Sequence, residues 1–352
     1  MAIQYTDMAC ETISIANKLV SKYWHPICLK SEIFNNNDFM RFEILGFELI
    51  VYNDNGHIIV FDNLCPHRGA RFFMDDAGKE PIRCKYHGWG YSNGRLNIAN
   101  KKSFTKCDVS AADLNKFHVD FCGDFIFFAV DPMQPLKKQL GSRIYDSLAE
   151  ISSQLSGCSD VNRYFFESAW AIALENALEP YHIPLIHVDT LATLQLTEGE
   201  NFFLGNNSIW HSRIGNEKLN KRLRSIKKYF STENAYEGYS SIFIFPFSML
   251  SSTYGFSYSL QNFFPSLQDN QTYFTSRLYP ALAADSRYQE VVDVFIQSTA
   301  KMNRQIFEED HQVCKRIPAR TWTSKPPKYF SDLEEKVLHF RKSCSVWADI
   351  QA

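Results

Sequence analysis

Cys65-Pro66-His67 and Cys84-Lys85-Tyr86-His87 place two thiols and two imidazoles within twenty-three residues. Sixteen residues separate the pairs, and a glycine follows close on each, Gly69 and Gly88. Four soft or borderline ligands on two loop tips demand a scaffold that holds those loops face to face. Glycine there lets the backbone approach a metal centre and turn N–H groups toward sulfur. Zinc accepts two Cys and two His tetrahedrally. A [2Fe–2S] cluster accepts the thiolates on one iron and the imidazoles on the other. The spacing suits both, and two ordinary loops that happen to carry Cys and His are the remaining reading.

The surrounding texture is β-rich. FEILGFELIVYN and HIIVFDNL read as strands joined at Asp54-Asn55-Gly56, and YSNGRLNIA turns at Asn93-Gly94. With DFIFFAVDP they suggest a small all-β unit that carries the Cys/His loops. A short helix is expected from residue 11 to about 22, and another over about 142–156. RYFFESAWAI, SSIFIFPFSML, FSYSLQNFFP and QTYFTSRLYP read as strands, and 287–316 as a long helix. Neither internal repeats nor low-complexity segments are evident. The expected division is an N-terminal segment of 1–40 packing on the second unit, a β unit of 41–140 and an α+β unit of 141–352.

Thirty-seven basic and 39 acidic residues give a formal net charge of −2 without long runs of either sign, which argues against a nucleic-acid or polybasic membrane surface. The N-terminus lacks a signal-peptide profile, and no apolar stretch is long enough to span a bilayer. A soluble, cytoplasmic protein is expected. Its nine scattered cysteines then stay reduced, and paired Cys favours metal over disulfide.

A second constellation lies in LENALEPYHIPLIH. Glu179 and His182 share a helix face, while His182 and His187 stand about 140° apart on an ideal helix. Pro180 and Pro184 interrupt that helix, so the two imidazoles can aim at one point. Two histidines and a carboxylate form the facial triad of non-haem iron(II) oxygenases. The late helix offers the acid. Val292, Phe295, Thr299, Met302, Ile306 and Val313 form an apolar stripe, on which Asp310 falls. Glu309 points nearly the same way, and periodicity does not separate the two; a rim carboxylate paired with Arg304 or Lys315 is the plainer alternative. Phe243, Phe245, Phe247, Tyr254, Phe256 and Tyr258 line either a pocket or a packed core. Neither a cationic clamp for a substrate carboxylate nor an aromatic cage is evident.

Cys65–Gly69 and Cys84–Trp89 resemble the two loop motifs of the Rieske iron–sulfur family almost letter for letter. Glu175–His182 followed by His187, with Glu309-Asp310 later, resembles the mononuclear-iron motifs of Rieske non-haem iron oxygenase alpha components. The resemblance implies an all-β Rieske domain followed by a helix-grip (START-like) domain with an antiparallel sheet and a long C-terminal helix. It implies that Cys65, Cys84, His67 and His87 hold the [2Fe–2S] cluster and that His182, His187 and Asp310 bind Fe(II). Glu179 takes the place of the acid that bridges the two centres, where many relatives have Asp, and Ala169-Trp170-Ala171 replaces a common Asn-Trp-Lys. Also implied are O2 as cosubstrate, NAD(P)H used through a separate reductase with or without a ferredoxin, and a head-to-tail homotrimer. The chain itself carries no nicotinamide-binding G-x-G-x-x-G. Its shortness fits a monooxygenase that hydroxylates or demethylates a small molecule. Ring dihydroxylation, a non-catalytic electron-transfer or ligand-binding role, and a zinc-stabilised structural protein are the alternatives.

Overall fold

The computed structural model describes residues 9–268, 270–323 and 326–347. Helix α1 (Ala9–Lys22) leads into β1 (His25–Leu29), β2 (Asp38–Ile44), β3 (Phe47–Asp54) and β4 (His57–Asp62). Three short strands follow, β5 (Ala77–Lys79), β6 (Gly90–Ser92) and β7 (Arg95–Asn97), then β8 (Lys116–Cys122) and β9 (Phe125–Ala129). An antiparallel sheet runs β1-β9-β8-β4-β3-β2-β5, with β6 and β7 as a separate hairpin. Both expected turns form. Asn55-Gly56 and Asn93-Gly94 have positive φ at each residue (55° and 90°, 49° and 74°), as a two-residue hairpin of the right twist requires. The first sheet already includes residues 25–29, ahead of residue 41.

Helix α2 (Leu136–Ser153) carries non-helical dihedrals at Gly141, so the expected helix from about 142 is its second part. Next come β10 (Asp160–Phe166), α3 (Trp170–Leu178) and the four-residue α4 (Ile183–Ile186). Strands β11 (Leu196–Leu204) and β12 (Asn207–Ile214) precede α5 (Glu217–Ile226). The chain continues through β13 (Tyr239–Ile244), β14 (Ser248–Thr253), β15 (Ser257–Pro265) and β16 (Thr272–Pro280), then α6 (Gln289–Cys314) and α7 (Glu335–Ser345). The second sheet, β10-β16-β15-β14-β13-β12-β11, is antiparallel throughout.

Two strand expectations need correction. RYFFESAWAI splits after Phe166, and its Ala-Trp-Ala-Ile half opens α3, because an unbroken buried apolar run suits helix and strand alike. SSIFIFPFSML is a hairpin, turning at Phe245-Pro246-Phe247. β11 and β12 escape sequence reading because Glu and Gly interrupt the first of them and a register shift falls between Thr197 and Glu200.

The second sheet is covered on both faces. Leu136, Leu140, Ile144 and Leu148 of α2 pack on Ile209, Ile242, Leu250 and Leu260, each burial contributing about 1.5–3 kcal/mol. On the other face lie α3, α6 and α7. Of the expected stripe on α6, Val292 and Ile306 are buried and Phe295 packs partly buried against the core, while Met302 is exposed; Ile296, Ala300, Phe307 and Cys314 complete the buried side. Where the sheets meet, buried Arg277 of β16 pairs with Glu32 at 3.2 Å, and Tyr279 donates to the same carboxylate. Tyr23, at the end of α1, packs edge-on against Phe245 and Trp347. Among the described residues no helix is long and apolar enough to cross a membrane.

Candidate functional site: two metal centres

The loops Cys65–Gly69 and Cys84–Gly88 are built alike. Gly69 N–H donates to Cys65 O at 2.8 Å, and Gly88 N–H to Cys84 O at 3.0 Å. Each loop closes at its base, Cys65 N–H on Ala70 O and Cys84 N–H on Trp89 O. Gly69 and Gly88 have φ of 69° and 73°, so a side chain at either would strain the turn. Both cysteines are 2% exposed, free, and packed among Phe39, Phe72, Phe73 and Trp89. Burial raises the pKa of the Cys65 thiol, as does the neighbouring Cys84 thiol, while the N–H groups of His67 and Arg68 pull it down. The imidazoles form a second pair, His67 and His87, with ring centroids 4.6 Å apart. His67 stacks on Trp89 at 4.9 Å, and its buried Nδ1 has no hydrogen-bond partner.

That geometry separates the two metal readings. A tetrahedral zinc brings four donor atoms within about 3.3–3.8 Å of one another. Among the described residues, only one set of three or more His, Cys, Asp or Glu donors lies mutually within 4.8 Å, and it is not this one. Thiol meets thiol and imidazole meets imidazole, but the four do not converge. A two-iron cluster fits such a pair of pairs, and a single zinc does not.

The set that does converge is His182, His187 and Asp310. α3 ends at Leu178, and Glu179 and Pro180 carry the chain into α4, with His182 just before it and His187 just after. The expected break is there at Pro180, whereas Pro184 stands in the first turn of α4, a position that tolerates proline. His182 Nε2 lies 3.2 Å from His187 Nε2. Asp310 Oδ1 lies 3.0 Å from His187 Nε2 and 3.5 Å from His182 Nε2. Cis ligands about 2.1 Å from one ion stand about 3 Å apart, so the three atoms fit a single metal.

Each imidazole is oriented from its far side. Glu179 Oε1 accepts from His182 Nδ1 at 2.5 Å, and its Oε2 accepts from the backbone N–H groups of Tyr181 and His182. Glu309 Oε2 accepts from His187 Nδ1 at 2.7 Å and from the Thr190 hydroxyl at 2.9 Å. Glu309 is thus a carboxylate behind a histidine, a role that periodicity alone did not distinguish from that of Asp310. Asn176 donates to Asp310 Oδ1 at 2.7 Å, while Arg304 pairs with Asp160 instead. With both Nδ1 atoms donating, two nitrogen lone pairs and a carboxylate oxygen face one another. They repel unless positive charge lies between them. Burial opposes charging His182, yet Asp310 and Glu179 raise its pKa to about 9. Burial raises the Asp310 carboxyl, yet His182 and His187 hold its pKa below the usual value. The surrounding carboxylates thus favour positive charge between the three atoms, which protons on the imidazoles supply in the metal-free protein and a bound metal ion would supply in their place.

A cavity of about 60 Å³ opens beside these ligands. Trp210, Tyr239, Met249, Ile306 and Phe307 line it, with Ser241, Gln261 and Lys336 as polar members. Phe243, Phe245, Phe247, Tyr254 and Phe256 are fully buried core residues that do not line it.

Comparison with known proteins agrees with this architecture. Residues 23–107 match the Rieske [2Fe-2S] domain, and residues 160–349 match the ring hydroxylating alpha subunit (catalytic domain). The chain is 28% identical over 211 residues to the anthranilate 1,2-dioxygenase large subunit of Acinetobacter baylyi, covering 56% of this chain and 45% of that one. It is 25% identical over 241 residues to the carnitine monooxygenase oxygenase subunit of Escherichia coli K12, covering 66% and 62%. The matched stretch thus spans less than two thirds of either relative. Among solved structures, the quaternary ammonium Rieske monooxygenase CntA with L-carnitine superposes with a TM-score of 0.76 at 16% identity, covering 98% of this chain and 94% of that one. Naphthalene 1,2-dioxygenase from Rhodococcus sp. superposes with a TM-score of 0.68 at 17% identity, covering 98% and 94%. At such identities the likeness speaks for the fold. The catalytic-domain match alone extends over more than half of the sequence, so the chain belongs to the ring-hydroxylating alpha subunits of the Rieske oxygenases, a family that implies a [2Fe–2S] cluster and a mononuclear iron acting with O2.

Proposed function

We propose that this protein is the terminal oxygenase of a multicomponent system and hydroxylates or demethylates a small organic substrate. The observation that carries the reading is the convergence of His182 Nε2, His187 Nε2 and Asp310 Oδ1 beside a cavity, in a chain that also carries the paired thiols and paired imidazoles. Cys65 and Cys84 would hold one iron of the cluster and His67 and His87 the other, while His182, His187 and Asp310 hold the mononuclear iron. When bound, the cluster supplies electrons and the iron(II) activates dioxygen. The chain's own residues prepare that chemistry. Glu179 and Glu309 fix the two imidazoles so that each Nε2 faces the metal position, and Asn176 fixes Asp310. The apolar walls of Trp210, Met249, Ile306 and Phe307 exclude water from the reacting centre. The relatives named above act on anthranilate and on carnitine, both small molecules that carry a carboxylate.

Electrons would come from NAD(P)H through a separate reductase, directly or by way of a ferredoxin, in the cytoplasm. A head-to-tail homotrimer belongs to this reading, with residues 41–140 as the cluster unit, 141–352 as the catalytic unit and 1–40 packing on the latter. Leu64, Met74 and Tyr86 beside the cluster are exposed, and so are Tyr181, Leu185 and Val188 beside the iron ligands. Such apolar side chains suit contact surfaces. Three hydrogen bonds already reach the Glu179 carboxylate, which leaves room for a further donor, the partner subunit's His87.

Metal content and EPR of protein purified without chelators test the reading. About three irons per chain and a reduced Rieske signal are expected; zinc without colour overturns it. Glu179→Gln keeps the shape and removes the charge. Both metals are expected to stay bound while steady-state turnover falls by about 10- to 100-fold. Full turnover in that variant would remove Glu179 from the electron path.

A further inference from the structure

Lys336 stands in the first turn of α7 and is 3% exposed. Its Nζ reaches Ser241 Oγ at 3.2 Å. Burial alone accounts for its lowered pKa, about 7, with no acidic group among the described residues offsetting it. A lysine is almost never fully buried unless paired, and an ammonium without a counter-ion is costly there. The cavity it lines is the one that His182, His187 and Asp310 line.

The sheet makes that end of the cavity polar. Ser241 of β13 is paired with Trp210 on one side and Ser251 on the other, so the three share a face, with Tyr239 two residues along. Gln261 joins this group through its hydrogen bond to Ser251 at 3.2 Å. Met249, Ile306 and Phe307 give the same cavity apolar walls, and His182, His187 and Asp310 line it as well. A pocket with an apolar body, one polar pole and one reactive pole orients a ligand by its own polar end. Among the described residues that line the cavity, Lys336 is the one lysine or arginine.

We propose that Lys336 binds a carboxylate of the substrate, and that the enzyme therefore acts on a small organic acid held between this ammonium and the iron ligands. The inference rests on the oxygenase reading above. The bound acid supplies the counter-ion that the fold omits, and a charge-assisted hydrogen bond in a dry pocket fixes which carbon of the acid meets the metal. The 60 Å³ cavity keeps that acid compact.

The test uses metal-loaded wild-type protein, Lys336→Met and Lys336→Gln, with acetate, butyrate, benzoate and glycine betaine as probes, each beside its primary amide. Calorimetric titration and thermal unfolding read binding without turnover. At least one acid is expected to bind the wild type and raise its Tm, while its amide does neither. Both variants are expected to weaken that acid by about 10- to 100-fold, with iron content and cluster absorption unchanged. If no acid binds, if an amide binds as tightly as its acid, or if the variants bind the acid like the wild type, the proposal is overturned. Protein lacking the mononuclear iron would fail the oxygenase reading instead. A metal-complete protein indifferent to the carboxylate fails only the assignment of Lys336.

Discussion

Asp310→Asn is expected to leave about two irons per chain instead of about three, with an intact Rieske signal, and to slow turnover by about 1,000-fold or more. Asp310 Oδ1 is the oxygen that faces both imidazole Nε2 atoms, at 3.0 and 3.5 Å. Asparagine keeps the volume and removes the charge, so two neutral imidazoles are left to hold a dication in a half-closed site. No neighbouring acid takes its place. Glu309 is next in sequence, but its carboxylate is engaged by His187 Nδ1, Thr190 and Gln305 on the far side of the ring. Glu179 is likewise behind His182. Iron content measured before activity separates loss of the metal from loss of chemistry. Three irons in Asp310→Asn would mean that the ligand is another group.

The chain made these centres legible to different degrees, and the physical reasons differ. The cluster loops are local, since ligands, glycines and turn closure all fall within five residues of each cysteine. His182 and His187 were readable because proline breaks a helix in a known way. Asp310 was readable only as a buried acid on a helix face, and its separation from Glu309 emerges only in the fold: each carboxylate reaches the same histidine, one at Nε2 and the other at Nδ1. Lys336 was not readable at all. In Asp-Leu-Glu-Glu-Lys-Val-Leu it looks like the solvated charge of an amphipathic helix, and it lies 154 residues from His182. Only the docking of α7 over the sheet, which sets it on Ser241, turns it into the cation of the cavity. The aromatic runs misled in the opposite sense. Phe243 and Phe245 pack edge-on against one another, and Tyr254 stacks on Phe256, so these serve the core, while the partly buried Tyr258 lines a separate cavity away from the iron ligands. Trp210 and Tyr239, paired edge-on at 5.6 Å, belong instead to the cavity wall.

Cys84→Ser should abolish the cluster, its colour and its EPR signal, and steady-state turnover with it, while about one iron per chain remains. Serine is a poor ligand for this cluster, and a site of one thiolate and two imidazoles cannot hold two irons. The loop itself is expected to survive, because its closure uses backbone groups of Cys84, Gly88 and Trp89 rather than the thiol. The variant therefore isolates the electron source from the catalytic centre, as Asp310→Asn isolates the reverse. Mixing the two tests the assembly. In a head-to-tail trimer formed from equal amounts of both, roughly one interface in four sets an intact cluster of one chain against an intact iron site of the next. Activity should then return to about a quarter of the wild-type value, although neither variant is active alone. If electrons pass within a single chain, no mixture recovers activity, because every chain lacks one centre. Refolded or co-expressed mixtures that stay inactive, with both variants shown to be in the same trimers, would place the electron path inside the subunit and remove Glu179 as the bridge to a neighbour.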